Sequence, residues 1–234
     1  MTPQIIPADK MSSVVSNNLS ELRKSIPEGV ELVAVSKFHP SEALMEAYNV
    51  GQRIFGESRA LELEAKAKEL PADIDWHFIG HLQTNKVRKV VACASLIHSI
   101  DSERLLRAVD DEAHKAGRRI GVLLQLHVAK EETKFGFTPE ELLAFVTPEL
   151  TGSLKAVDIR GIMGMASNVD DPERIRKDFR EIRATFDRLR ETVFASEPRF
   201  SIVSMGMSHD WPIAVDEGSN MIRVGTSIFG EREY

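Results

Sequence analysis

The chain has 234 residues, 42% hydrophobic and 28% charged, with a formal net charge of −6. That composition supplies apolar material for one large core, and its acidic balance argues against nucleic acid as the main partner. No apolar run approaches membrane length, the opening MTPQIIPADKMSSVV lacks signal-peptide character, and the lone cysteine, Cys93, excludes an internal disulfide.

The expected location is the cytoplasm. In KVVACASLI, Cys93 reads as a small buried hydrophobe. A helix over about residues 9–25 comes first, and then short apolar runs alternate with longer amphipathic ones. The strand-like runs are ELVAVS (31–36), RIFG (53–56), DWHFIG (75–80) and SLIHSI (95–100). They continue with IGVLLQLHV (120–128), DIRGIMGMA (158–166), RFSIVSMG (199–206) and MIRVGTS (221–227), making eight. Among the helical runs, PSEALMEAYNVG (40–51) opens on proline and stops at glycine, as helix entry and exit chemistry requires. The run 171–195 carries Phe179, Ile182, Phe186, Leu189 and Val193 on one stripe, which is expected to cover the sheet of its own fold.

Strands that are apolar throughout, each followed by a helix, imply a parallel sheet covered on its faces. Eight such units fit a closed (β/α)₈ barrel, with the extra helix ahead of it. A doubly wound open sheet satisfies the same periodicity, since strand order is not written in it. The barrel is favoured. No Pro/Gly/Ser linker or low-complexity tract divides the chain, so residues 1–234 are expected to form one domain.

In such a barrel the working groups sit at the carboxyl ends of the strands. The first strand delivers Lys37 to its tip. The seventh delivers Gly206, Met207 and Ser208, and the eighth carries Arg223 within an apolar run before Gly225, Thr226 and Ser227. Small residues with free N–H groups and hydroxyls suit a phosphate monoester, and closure places strand eight beside strand one. The ligand would then have a phosphate at one end and a carbonyl within reach of an amine. A desolvated lysine has a neutral amine that attacks an aldehyde, and pyridoxal phosphate has both handles. Taken singly, each residue has a plainer account. Lys37 could be a solvated strand end, and Arg223 a structural ion-pair partner of Glu57 or Asp216.

The segments VAVSKFHP, RIFGESRALELEAK, WHFIGHLQTNKVR, IHSIDS, EETKFGF, IRGIMGMA and SMGMSHDWPIAVDEGSNMIRVGTSIFGERE resemble, in order, the motifs of the pyridoxal-phosphate homeostasis proteins, the YggS/PROSC family. That family is similar in fold to the barrel domain of alanine racemase. The resemblance implies a single (β/α)₈ barrel holding pyridoxal 5′-phosphate as a Schiff base on Lys37. It also implies that Ser208 and the Gly225–Thr226 segment hold the phosphate, and that Arg223 lies near the pyridine nitrogen. Met165, Met207 and Ser58 are candidates for the ring wall. Many members read FGEN where this chain reads FGES, so Ser58 replaces a longer amide.

Alanine racemases add a β-rich domain that supplies a tyrosine base, whereas this chain ends at Tyr234 just after its eighth strand. Tyr48, in the helix after Lys37, is expected on the outside of the barrel. With one base and no partner opposite, the expected function is to hold and hand over pyridoxal phosphate without efficient catalysis. Apo-enzymes are the expected recipients, with no nucleic-acid or membrane partner, and the chain is expected to be a monomer. The alternatives are a pyridoxal-phosphate-dependent racemase or related amino-acid enzyme, and a cofactor-free lysine aldolase. The seven histidines show no metal-ligand spacing and are expected to be hydrogen-bonded or exposed. Lys86 and Lys134 read as solvated charges, with His81 the one histidine singled out.

Overall fold

A computed structural model describes residues 14–128 and 135–231. Its eight strands are β1 (Glu31–Val35), β2 (Ile54–Glu57), β3 (Asp75–Phe78), β4 (Leu96–Ile100), β5 (Ile120–Gln125), β6 (Val157–Met163), β7 (Ile202–Ser204) and β8 (Met221–Val224). They pair in parallel in sequence order, and β8 returns to β1, so the barrel is closed and the open-sheet alternative is excluded.

Around it lie α1 (Val14–Ser25), α2 (Ser41–Asn49), α3 (Ala60–Glu69), α4 (Val87–Cys93) and α5 (Glu103–Lys115). The circuit is completed by α6 (Pro139–Phe145), α7 (Pro148–Ser153), α8 (Pro172–Glu191), α9 (Trp211–Asp216) and α10 (Thr226–Phe229). Residues 9–13 of the expected first helix, Lys134 and Tyr234 lie outside the described residues.

Local chemistry sets the helix starts. The Ser102 hydroxyl caps α5, Thr138 and Glu141 form a reciprocal capping box on α6, and Asp171 caps α8 ahead of Pro172. The α8 stripe does cover the sheet. Phe179, Ile182, Phe186 and Leu189 are buried in the layer between sheet and helices, while Val193 falls past the helix end and is half-buried. Burying each large side chain of this kind contributes about 1.5–3 kcal/mol. Cys93 is half-buried against the same layer, and desolvation pushes its thiol pKa up.

A second, smaller apolar cluster fills the barrel interior. Val33, Leu96, Leu123, Met163 and Met221 belong to it, with Ile54 and Ile202 against it. Strand alternation then fixes which residues face inward. Val33 is the lateral partner of Arg223, and His77 that of Leu96, so these polar side chains share the inner face.

Seven of the eight strands are shorter than their apolar runs in sequence, β2 keeping its length but shifting by one residue, and most of the excess lies at the carboxyl ends. The last run stops at Val224 because β8 meets β1 closely there. A Cβ on Gly225 would stand 3.0 Å from the Val35 carbonyl oxygen.

The α5-to-β6 junction is held by one carboxylate. Buried Asp110 accepts backbone N–H bonds from Lys155, Ala156 and Val157 at 2.8–3.1 Å. Asp110→Ala leaves those donors without a partner, and urea unfolding should show a loss of about 2–4 kcal/mol.

Candidate functional site

Lys37 stands two residues past the end of β1, on the same alternate set as Val33 and Val35. It is half-buried, and the chain turns sharply beyond it. Phe38 has φ 67°, the one non-glycine positive φ among the described residues. A bulky residue held there costs on the order of 1–3 kcal/mol and persists only where its surroundings impose it.

They do impose it. Lys66 on α3 sends its ammonium to the Ser36 carbonyl, Glu57 Oε1 and Glu62 Oε1, each at 2.8 Å. Glu62 Oε1 also accepts from the Phe38 backbone N–H at 2.7 Å, and the Ser36 hydroxyl donates to Glu57 Oε1 at 2.7 Å. The peptide groups on both sides of Lys37 are therefore gripped by one buried charge cluster. The Arg59 guanidinium lies 4.3 Å over the Phe38 ring and closes the turn from outside. Glu57 is fully buried, its second carboxylate oxygen has no protein partner, and desolvation raises its pKa despite Lys66.

Closure of the barrel brings the seventh and eighth tips to this lysine. Ala34 pairs with Val224, and the Arg223 N–H donates to the Gly206 carbonyl at 3.1 Å. The Gly225 N–H reaches Ser208 Oγ at 3.4 Å, joining the two loops into one cradle. Gly206 has φ 94°, and a Cβ there would stand 2.7 Å from Ala214 Cβ, so only glycine fits. Ser208 and Gly225 are half-buried, while Thr226 and Ser227 open α10 at the surface. Met207 is exposed at the rim.

Arg223 is not an ion-pair residue of Glu57 or Asp216. Glu57 is taken by Lys66, and Asp216 faces Arg176 at 3.6 Å. The Arg223 guanidinium is buried in the barrel instead, donating to the Ser204 carbonyl at 2.9 Å, Ser204 Oγ at 2.6 Å and the Gly164 carbonyl at 3.2 Å. Desolvation lowers its pKa to about 10, so it remains a cation at neutral pH.

Ser58 directly follows β2, the strand next to β1. Its carbonyl occupies the space a Gly80 side chain would need, and the residue lines a cleft of about 540 Å³ at the tips of β2 and β3, with Arg59, His81 and Lys86. Met165 is half-buried against the interior apolar cluster. His81 faces Asp101 at 3.2 Å and stacks on Phe135. Among the described residues no cluster of ligating side chains could hold a metal. Tyr48 is on the outside as expected, its hydroxyl donating to Asp73 at 2.7 Å. Sequence reasoning missed the grip of Lys66, Glu57 and Glu62 on the lysine turn, because its members come from a strand end and the helix beyond it.

Lys66→Met removes the ammonium from Glu57 and should cost about 3–5 kcal/mol at neutral pH. The Glu57 pKa is already raised above its ordinary 4.5 and rises further in the variant. The folded state then binds the extra proton, so the penalty should grow as pH climbs from about 5 to about 8, measured by urea unfolding across that range.

Residues 12–233 match the family described as alanine racemase, N-terminal domain. The pyridoxal phosphate homeostasis protein of Aquifex aeolicus is 38% identical over 205 residues, 87% of this chain and 88% of that one. Its counterpart in Schizosaccharomyces pombe is 37% identical over 229 residues, 94% of each. Among solved structures, PipY of Synechococcus elongatus without PLP has a TM-score of 0.86 at 40% identity, covering 93% of this chain and all of that one. The structure of PipY with PLP bound has a TM-score of 0.83. Alanine racemase from E. faecalis, at 20% identity and TM-score 0.74, shares the fold over 94% of this chain and 58% of its own. With a closed barrel, a lysine tip and a two-loop cradle, this chain belongs to the pyridoxal phosphate homeostasis protein family.

Proposed function

We propose that the chain binds pyridoxal 5′-phosphate at the carboxyl-end mouth of the barrel, with the aldehyde joined to the Lys37 amine as a Schiff base. It acts as a monomer in cofactor homeostasis, buffering or delivering the group rather than turning over a substrate. One observation carries this reading. The β1–β8 closure sets a clamped lysine turn beside a glycine-and-serine cradle and a buried guanidinium.

The residues fit the group. Joining the lysine nitrogen to an aldehyde carbon releases one water, and the turn that carries Lys37 is fixed on both sides. Ser208, Gly225 and Thr226 offer a hydroxyl and backbone donors for the phosphate, and Gly206 and Gly225 leave the space side chains would fill. Arg223 supplies N–H donors and a fixed positive charge for the pyridine nitrogen, which disfavours protonation there. When bound, the cofactor supplies an electron sink for bonds at an amino-acid carbon, and the Arg223 charge weakens that sink. Met207 and Ser58 stand at the rim.

Two further observations favour holding over turnover. Tyr48 is tied to Asp73 outside the barrel and does not reach the mouth, and the relatives are named for homeostasis. Six large apolar side chains are exposed among the described residues, and five of them, Phe38, Leu61, Phe135, Val169 and Met207, follow strand carboxyl ends. Apolar groups gathered at the mouth favour contact there with an apo-enzyme that receives the cofactor.

The test is the visible absorption spectrum of the purified protein with pyridoxal phosphate, before and after borohydride. A yellow band that borohydride removes, and that Lys37→Ala lacks, is the expected result. Ser208→Ala should keep the band and weaken binding about 5- to 30-fold, the equivalent of about 1–2 kcal/mol. A protein that takes up no cofactor overturns the reading. Rapid stereoselective proton exchange at the α-carbon of one amino acid overturns its non-catalytic part.

A further inference from the structure

Beneath the mouth, a line of polar side chains crosses the barrel interior. His98 Nδ1 lies 3.1 Å from Ser204 Oγ, and His98 Nε2 lies 3.0 Å from His77 Nδ1. His77 Nε2 in turn faces Asp75 Oδ2 at 3.6 Å, too long for a hydrogen bond but close enough to orient the ring. At the other end, Ser204 Oγ accepts from Arg223. His98 and Ser204 are fully buried, and His77 is 3% exposed. Asp75, the first residue of β3, opens to solvent at the amino end of the barrel, where Ser95 also donates to it.

Chemistry at the two ends dictates the direction of every bond between them. A carboxylate only accepts, so a His77 ring bearing one proton turns an Nε2–H towards Asp75 and its Nδ1 accepts. His98 must then donate through Nε2 and accept at Nδ1, which makes the Ser204 hydroxyl a donor. That leaves a serine lone pair for Arg223, whose guanidinium only donates. The reverse order would aim the His77 Nε2 lone pair at the carboxylate. Burial first, and then the neighbouring His77 and Arg223, keep the His98 pKa well below the ordinary value. Stability does not call for such a line. The neighbouring interior cluster is filled by Val33, Leu96, Leu123, Met163 and Met221, and apolar replacement of buried polar sets is often neutral or stabilising.

We propose that Asp75, His77, His98 and Ser204 are positioning residues for Arg223, the Asp75 carboxylate orienting the His77 ring and the hydrogen bonds from His77 onward carrying one direction to the guanidinium at the ligand site. The inference rests on the pyridoxal phosphate reading, because only a ligand at Arg223 gives that positioning a use. Asp75 touches neither the cradle nor the lysine turn, so a change there tests the chain without altering the mouth.

The experiment records ring-nitrogen spectra of ¹⁵N-histidine-labelled, ligand-free protein, beside Asp75→Asn and, as a control, Ser95→Ala. In the wild type His98 should appear as an uncharged Nε2–H ring. The amide introduced by Asp75→Asn can turn an N–H towards His77, so that variant should give mixed tautomers at His98. It should also speed exchange of the Arg223 guanidinium protons about tenfold. The same variant should raise the Kd for pyridoxal phosphate about 3- to 10-fold, and Ser95→Ala should leave His98 as it was. An Nδ1–H or charged His98 in the wild type, or an Asp75→Asn protein with unchanged His98 and Kd, overturns the proposal. Failure of the pyridoxal phosphate reading looks different. It shows as wild-type protein that takes up no cofactor, and the positioning role falls with it.

Discussion

Everything at the mouth depends on one pairing, that of β8 with β1. The register sets Val33 beside Arg223 and Ala34 beside Val224, so residues from opposite ends of the chain become neighbours. Gly225 marks how tight the seam is, since a side chain there would press on the Val35 carbonyl oxygen. Loop-closure entropy opposes bringing such distant segments together, and the full circuit of parallel strands offsets it, with the Asn18 amide of α1 donating to the Ile228 carbonyl of α10 at 3.1 Å. The lysine turn, the cradle and the guanidinium are three features of one seam.

The two cations near the seam are handled differently. Lys66 is buried with two carboxylates and a carbonyl, so its charge is compensated where it sits. Among the described residues no carboxylate bonds the Arg223 guanidinium, Asp210 acting on it only through its charge, and its bonds run to two carbonyls and a hydroxyl. The first arrangement satisfies a charge and thereby fixes a backbone turn. The second keeps a cation in the barrel at a cost in desolvation that lowers its pKa. A buried cation bonded to carbonyls and a hydroxyl in place of a carboxylate is the kind of feature that function explains better than stability does.

The fold was legible because apolar runs alternating with amphipathic ones leave few architectures, and all eight runs became strands. Their ends were less legible. Ser36–Lys37 and Gly225–Thr226 continue the composition of their strands but leave the ladder, since turn strain at Phe38 and close approach at Gly225 are three-dimensional facts. Lys37, Ser208, Arg223 and Gly225 could be named because tip position follows from strand order. The close approach of the Ser58 carbonyl to the glycine at position 80 is not displayed by the sequence. His77 and His98 occupy inward alternate positions that the sequence displays, yet their meeting depends on barrel stagger, which it does not.

The mouth combines a rigid floor with an open rim. Lys37 is carried on a turn bonded on both sides, and Arg223 is tied to β7 and the end of β6, so the groups that would contact a ligand lose little freedom on binding it. Above them, Phe38 and Met207 remain exposed. A carrier needs the first property to retain a cofactor at low concentration and the second to let a recipient reach it. An enzyme of the same chemistry needs the rim covered, because water competes with proton transfer and weakens every charge interaction in the site. Under the proposed function, rigidity below and exposure above are two halves of one requirement: reversible capture in a form that another protein can approach.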